Sequence, residues 1–233
     1  MTATQAGADL GQRLWHQACT CLQQEAWPEA EGLLWRLLQL APSASWELRD
    51  ALGYCLLMQG SYALCEAVLR PALEAPGRSF WVSHKMADAL RGQARLEEAE
   101  ALYRRSEQEG SSSPLTARNH LQVLYQLEIK RCLDTLEVWL GQPDTPEAYW
   151  SGAQQAALLV PGEELSDWLW RHGLSNAACR RRLLEASCYA LNPQRCWQIL
   201  HRVAEASPWE EALSQRLQLL GLVATGETPA AGE

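Results

Sequence analysis

The chain has 233 residues, 47% of them hydrophobic, and a formal net charge of −8 at pH 7. That is enough apolar material for a continuous core without disulfide staples, and the acidic balance opposes non-specific attraction to nucleic acid or anionic lipid. No apolar run approaches the roughly 20 residues that span a bilayer, and the eight cysteines, single apart from Cys19 and Cys21, follow no secretory signal, so they read as buried thiols of a reducing cytoplasm.

Apolar residues recur at three- and four-residue spacing along almost the whole chain, and no stretch alternates long enough for a strand, so the fold class is all-α. Residues 1–9 are expected to be a flexible N-terminus. Turn clusters at AWPEA (26–30), LAPSAS (40–45), QGSY (59–62), EAPGRS (74–79), RGQARL (91–96) and EGSSSP (109–114) then mark out helices of about 12 to 16 residues. Joined so tightly, neighbouring helices must pack antiparallel.

The division continues through residues 111–223. A degenerate pair is expected at 114–142, where CLDTLEVWL lacks the small residues of the earlier pairs, and 145–172 read as helical without an assignable register. The register returns at 177–208, where Asn192 and Pro193 make a helix start. WEEALSQRLQLLGLV reads as a C-terminal capping helix with its polar side outward, and residues 224–233 as a disordered tail.

Self-comparison exposes a repeat over 10–110. Sliding LEEAEALYRRS (96–106) back by 34 residues lays it on YALCEAVLRPA, and a further 35 lays it on WPEAEGLLWRL. Ala30, Cys65 and Ala99 form a small column, while Trp27, Tyr62 and Leu96, then Leu34, Leu69 and Tyr103, form large ones; Leu37, Ala72 and Ser106 close the turn. In the preceding helix Gln17, Leu52 and Met86 are followed by small Ala18, Gly53 and Ala87, then by Cys21, Leu56 and Leu90. Small residues on both helices let their backbones approach, and a period near 34 means that stacking, not any one hairpin, supplies the core.

LGYCLLMQGSYALCEAVLRPALEAP (52–76) and EEAEALYRRS, with prolines at Pro42 and Pro76, make the sequence resemble the tetratricopeptide repeat family. The resemblance covers 10–110 as three repeats. It implies a right-handed α-solenoid of antiparallel helix pairs whose first helices line a concave groove. Carried onto this register, the groove stripe is Gln12, Trp15 and Cys19; Glu47, Asp50 and Tyr54; Trp81, His84 and Asp88; Leu115, Arg118 and Gln122. The candidate partner-binding residues are Trp15, Glu47, Asp50, Tyr54, Trp81, His84, Asp88, Arg118 and Gln122. Aromatic anchors beside three carboxylates and one arginine suit a peptide carrying basic and apolar side chains. Relatives that grip an acidic chaperone tail use Lys, Asn and Arg at set places; here only Lys85 falls near that set, and Trp15, Cys19 and Ala51 occupy the matching positions.

Chemistry is otherwise sparse. The histidines His16, His84, His120, His172 and His201 are scattered, Cys19 and Cys21 point to nearly opposite sides, and no metal or other cofactor is expected. No Gly-x-Ser-x-Gly elbow, phosphate-binding glycine loop or His-Glu-x-x-His is present, and Cys196 and His201, five apart, are poor partners. Arg180, Arg181 and Arg182 fan around a helix instead of forming a stripe, and Trp168 and Trp170 lie on different faces. The expected function is therefore a non-enzymatic, cytoplasmic interaction scaffold, an adaptor or assembly or secretion chaperone, with no nucleic acid or membrane partner. The rival readings are an accessory subunit presenting substrate to a transferase acting in trans, and a helical-repeat helper handling a pigment or cofactor.

Overall fold

The computed structural model describes residues 3–41, 45–141 and 145–173. The elements expected at 177–208, the capping helix and the tail from 224 lie outside the described residues, as do Arg180, Arg181, Arg182, Cys196 and His201. The described residues form α1 (Ala3–Gln23), α2 (Trp27–Leu40), α3 (Trp46–Met58), α4 (Tyr62–Leu69) with a 3-10 turn at Arg70–Ala72, α5 (Phe80–Gly92), α6 (Leu96–Gln108), α7 (Pro114–Leu127), α8 (Ile129–Leu140), α9 (Glu147–Leu159) and α10 (Glu164–Gly173), with no strand among them. Helix α1 reaches back to Ala3, into the stretch read from sequence as flexible; Ala3, Gln5, Ala6 and Ala8 are helix formers and no proline interrupts them. The chain divides into two compact units at Ser111 and Ser112.

In the first unit, α1 and α2, α3 and α4, and α5 and α6 pack as hairpins, and α2 meets α3 as α4 meets α5. Each hairpin turns in the same way. Glu25 (φ 57°), Gly60 (φ 72°) and Ala94 (φ 59°) adopt left-handed backbone, and the next amide reaches back to the helix: Ala26 N to Cys21 O at 2.9 Å, Ser61 N to Leu56 O at 2.8 Å, Arg95 N to Leu90 O at 3.0 Å. These bonds satisfy carbonyls that a helix end would leave orphaned.

The small columns sit where helices touch. Ala30, Cys65 and Ala99 are fully buried, as are Leu34, Leu69 and Tyr103. Ala18, Gly53 and Ala87 are buried opposite them. A Cβ on Gly53 would fall 2.6 Å from the Leu69 side chain, and the Cys65 thiol donates to the Gly53 carbonyl at 3.2 Å. Any larger residue in either column would push the hairpin open.

Stacking between hairpins uses another set of positions. Leu48, Leu52 and Cys55 on α3, and their equivalents Val82, Met86 and Ala89 on α5, are buried. Their equivalents on α1 are Arg13, Gln17 and Thr20, all exposed. The outward face of α1 is therefore polar where the corresponding faces of α3 and α5 are apolar and covered.

The second unit has its own core, in which Leu121, Leu124, Cys132, Leu136, Leu140, Ala153, Ala156, Leu165 and Leu169 are buried, with half-buried Trp168 against them. The fourth pair does have a small residue in the expected slot. Cys132 is fully buried and its thiol donates to the Leu121 carbonyl at 3.4 Å, as Cys65 does to Gly53. The sequence reading missed it because Glu128 alone both ends α7 and begins α8, a shorter turn that breaks the repeat period. Residues 145–172 resolve into α9 and α10, and α9 packs on α7 at Gly152, where a Cβ would lie 2.5 Å from the Ala117 Cβ and 2.7 Å from the Pro114 carbonyl oxygen.

Candidate functional site

The proposed groove residues of the first unit lie on α1, α3 and α5. On α1, Gln12 is exposed and Cys19 half-buried, while Trp15 is 38% exposed. On α3, Glu47 is exposed and Asp50 and Tyr54 are half-buried; on α5, Trp81 and Asp88 are half-buried. His84 is only 2% exposed. Its ring packs edge-on against Trp81 at 5.0 Å and Tyr103 at 5.7 Å between centroids, so it supports the face from behind and is not presented on it. Arg118 and Gln122, both half-buried on α7, belong to the second unit, where Arg118 Nε donates to Asn119 Oδ1 at 3.0 Å.

Of the middle members, His84 is buried, whereas Trp15 is exposed and Asp50 and Arg118 are half-buried. On α5 the more accessible residue is the neighbour of His84, half-buried Lys85. On a helix, Trp81, Lys85, Asp88 and Gly92 make a narrower stripe than one running through His84, since residues 4, 7 and 11 apart drift least around the axis. The equivalent α3 stripe is Glu47, Ala51, Tyr54 and Met58, and Met58 is 49% exposed. Met58 and Lys85 were missed from sequence, although that spacing could have selected them.

Aromatic rings knit this face together. Trp27 of α2 meets Tyr54 edge-on at 5.4 Å, Phe80 lies 5.0 Å from Trp81, and Tyr62 backs α5 so closely that a Cβ on Gly92 would come within 2.6 Å of its ring.

The carboxylates that sequence reading offered to a basic partner are engaged within the unit. Lys85 Nζ meets Asp50 Oδ2 at 2.7 Å and lies 5.4 Å from the centre of the Tyr54 ring. Asp88 meets His84 Nε2 and Arg91 Nη2, each at 3.2 Å, and accepts the Tyr103 hydroxyl. Burial works to raise the Asp88 pKa, but the hydrogen bond and charge of His84, the Tyr103 hydroxyl and Arg91 outweigh it and hold the carboxyl below its ordinary range. Glu47 remains as an exposed carboxylate, its pKa lowered by a hydrogen bond with Ser45.

The buried thiols among the described residues are held in their protonated form. Burial raises the Cys55 thiol to about 11 and Cys65 to about 12, and in the second unit Cys132 to about 12. Such thiols stay protonated at neutral pH, the reverse of what a nucleophile needs. His16 and Cys19, three apart on α1, do have a metal-ligand spacing that sequence reading passed over. Among the described residues, however, no group of three His, Cys, Asp or Glu could hold a metal ion, and no helix is long and apolar enough to cross a membrane. No protein-family model matches the chain, and no curated protein is found similar to it.

Proposed function

We propose that the hairpins of the first unit wind into a right-handed α-solenoid of the tetratricopeptide type and that the open faces of their first helices line its concave groove. The protein is then a non-catalytic scaffold of the cytoplasm, an adaptor or an assembly chaperone, holding a peptide or protein segment in that groove. The observation that carries this reading is the strip of accessible large side chains, Tyr54, Met58 and Trp81, braced from behind by Trp27, Tyr62 and His84. Rigid aromatic anchors with little rotamer entropy to lose are the usual centres of a protein interface.

Affinity capture with the full chain as bait, followed by mass spectrometry, tests it. Met58→Glu combined with Trp81→Ala should lose the captured partner while keeping the far-ultraviolet circular dichroism of the unaltered chain. Undiminished capture by that variant would reject this groove.

A further inference from the structure

The wiring of charges on this face defines the chemistry of what it can hold. We infer that the docking segment presents an apolar, uncharged side to Tyr54, Met58 and Trp81, and not the basic side chains that the acidic stripe invites; this rests on the groove reading above. Asp50 has its cation in place: Lys85 Nζ sits 2.7 Å away, and its other oxygen, Oδ1, is covered and without a hydrogen bond, so a partner's ammonium group has no path to it. Asp88 is closed off in the same way, with His84, Arg91 and the Tyr103 hydroxyl around it.

A lysine or arginine arriving at Asp50 or Asp88 would have to displace Lys85 or Arg91, leaving one cation without its carboxylate in a partly desolvated place. An acidic side chain fares no better, because Lys85, with 15% of its side chain exposed, is already paired with Asp50. Open to contact on the α3 and α5 stripes, besides Glu47, are the thioether of Met58, the half-buried rings of Tyr54 and Trp81, and the backbone beside exposed Gly92. On α1 the exposed Trp15 adds a further ring. Methionine adapts its shape to apolar partners, and the rings add area at small entropic cost. Glu47, at the first turn of α3 as Trp81 is at the first turn of α5, is fully exposed, so water and salt screen its charge.

The test is selection from a phage-displayed random dodecapeptide library with the full chain as bait. The inference expects peptides enriched in Leu, Ile, Phe, Met and Trp, with Lys and Arg no more frequent than in the unselected library. The corresponding synthetic peptides should change affinity by less than about twofold between roughly 50 and 500 mM NaCl. Peptides enriched in Lys or Arg that lose about tenfold or more in affinity over that salt range, yet fail to bind the Met58→Glu, Trp81→Ala variant, would overturn this inference and leave the groove standing. Peptides of either kind that bind the variant as well as the parent chain, or the absence of any selected peptide, would count against both.

Discussion

Gln59, at the end of α3, donates its side-chain amide to Glu31 of the preceding hairpin at 2.7 Å, and Gln93 makes the same bond to Glu66 one repeat later at 3.0 Å. Both glutamines also cap their own helix, bonding to the carbonyls of Cys55 and Ala89. Each glutamate is further held by the residue four places on, Trp35 for Glu31 and Arg70 for Glu66. The bond thus ties each hairpin to the one before it at an equivalent position. Gln93→Ala should cost about 0.5–1.5 kcal/mol, because Glu66 is buried, and Gln59→Ala less, since its bond is exposed; urea unfolding of the two variants checks the order.

The left-handed positions of the three hairpin turns, Glu25, Gly60 and Ala94, are filled by one glycine and two residues that resist that backbone. Ala94→Gly and Glu25→Gly should each stabilise the fold by about 0.5–1 kcal/mol, and Gly60→Ala should destabilise it by a similar amount. Thermal unfolding of the three variants measures the sign directly.

Burial should sort the cysteines by reactivity. At pH 8, iodoacetamide should modify half-buried Cys19 and Cys21 well before Cys55, Cys65 and Cys132, which are buried and whose pKa values are raised to about 11, 12 and 12. Peptide mapping by mass spectrometry against time, with and without denaturant, gives the order.

Asp88, Glu66 and Glu109 all have pKa values lowered in the fold. A carboxylate whose folded pKa lies below its unfolded value binds a proton more weakly when folded. Its contribution is therefore complete above the unfolded pKa and is lost as pH falls through the folded one. Stability should hold down to about pH 5 and then decline below about pH 4. Asp88→Asn should be less stable at neutral pH and show a shallower acid decline, read from urea midpoints across the pH series.

The polar outward face of α1 makes a further prediction. Replacing Arg13, Gln17 and Thr20 with the residues of α3, as Arg13→Leu, Gln17→Leu and Thr20→Cys, removes the charge and polarity that keep this face in water. Light scattering should show a larger mass than for the unaltered chain, measured under reducing conditions so that disulfides do not contribute. An unchanged mass would mean that these three side chains do not keep the face from associating.

The helices, their pairing and the alternation of slim and bulky columns were legible in the sequence because they follow from spacing along one helix. Ala30, Cys65 and Ala99 share a helix position whatever lies beyond it, and all three are buried as that position requires. Even Cys132 follows the rule once the shortened turn at Glu128 is allowed for. The tertiary structure decided which stripe of each first helix stays open and what charge it shows. Asp50 and Lys85 stand one full repeat apart in sequence, and only stacking brings them to 2.7 Å. His84 and Asp88 share a helix, but it is Tyr103 from α6 that accompanies both and turns the histidine inward. Periodicity is a property of a segment by itself, whereas burial and charge pairing belong to two segments at once, so two of the three acids of the stripe, Asp50 and Asp88, are paired in the fold while Glu47 stays exposed.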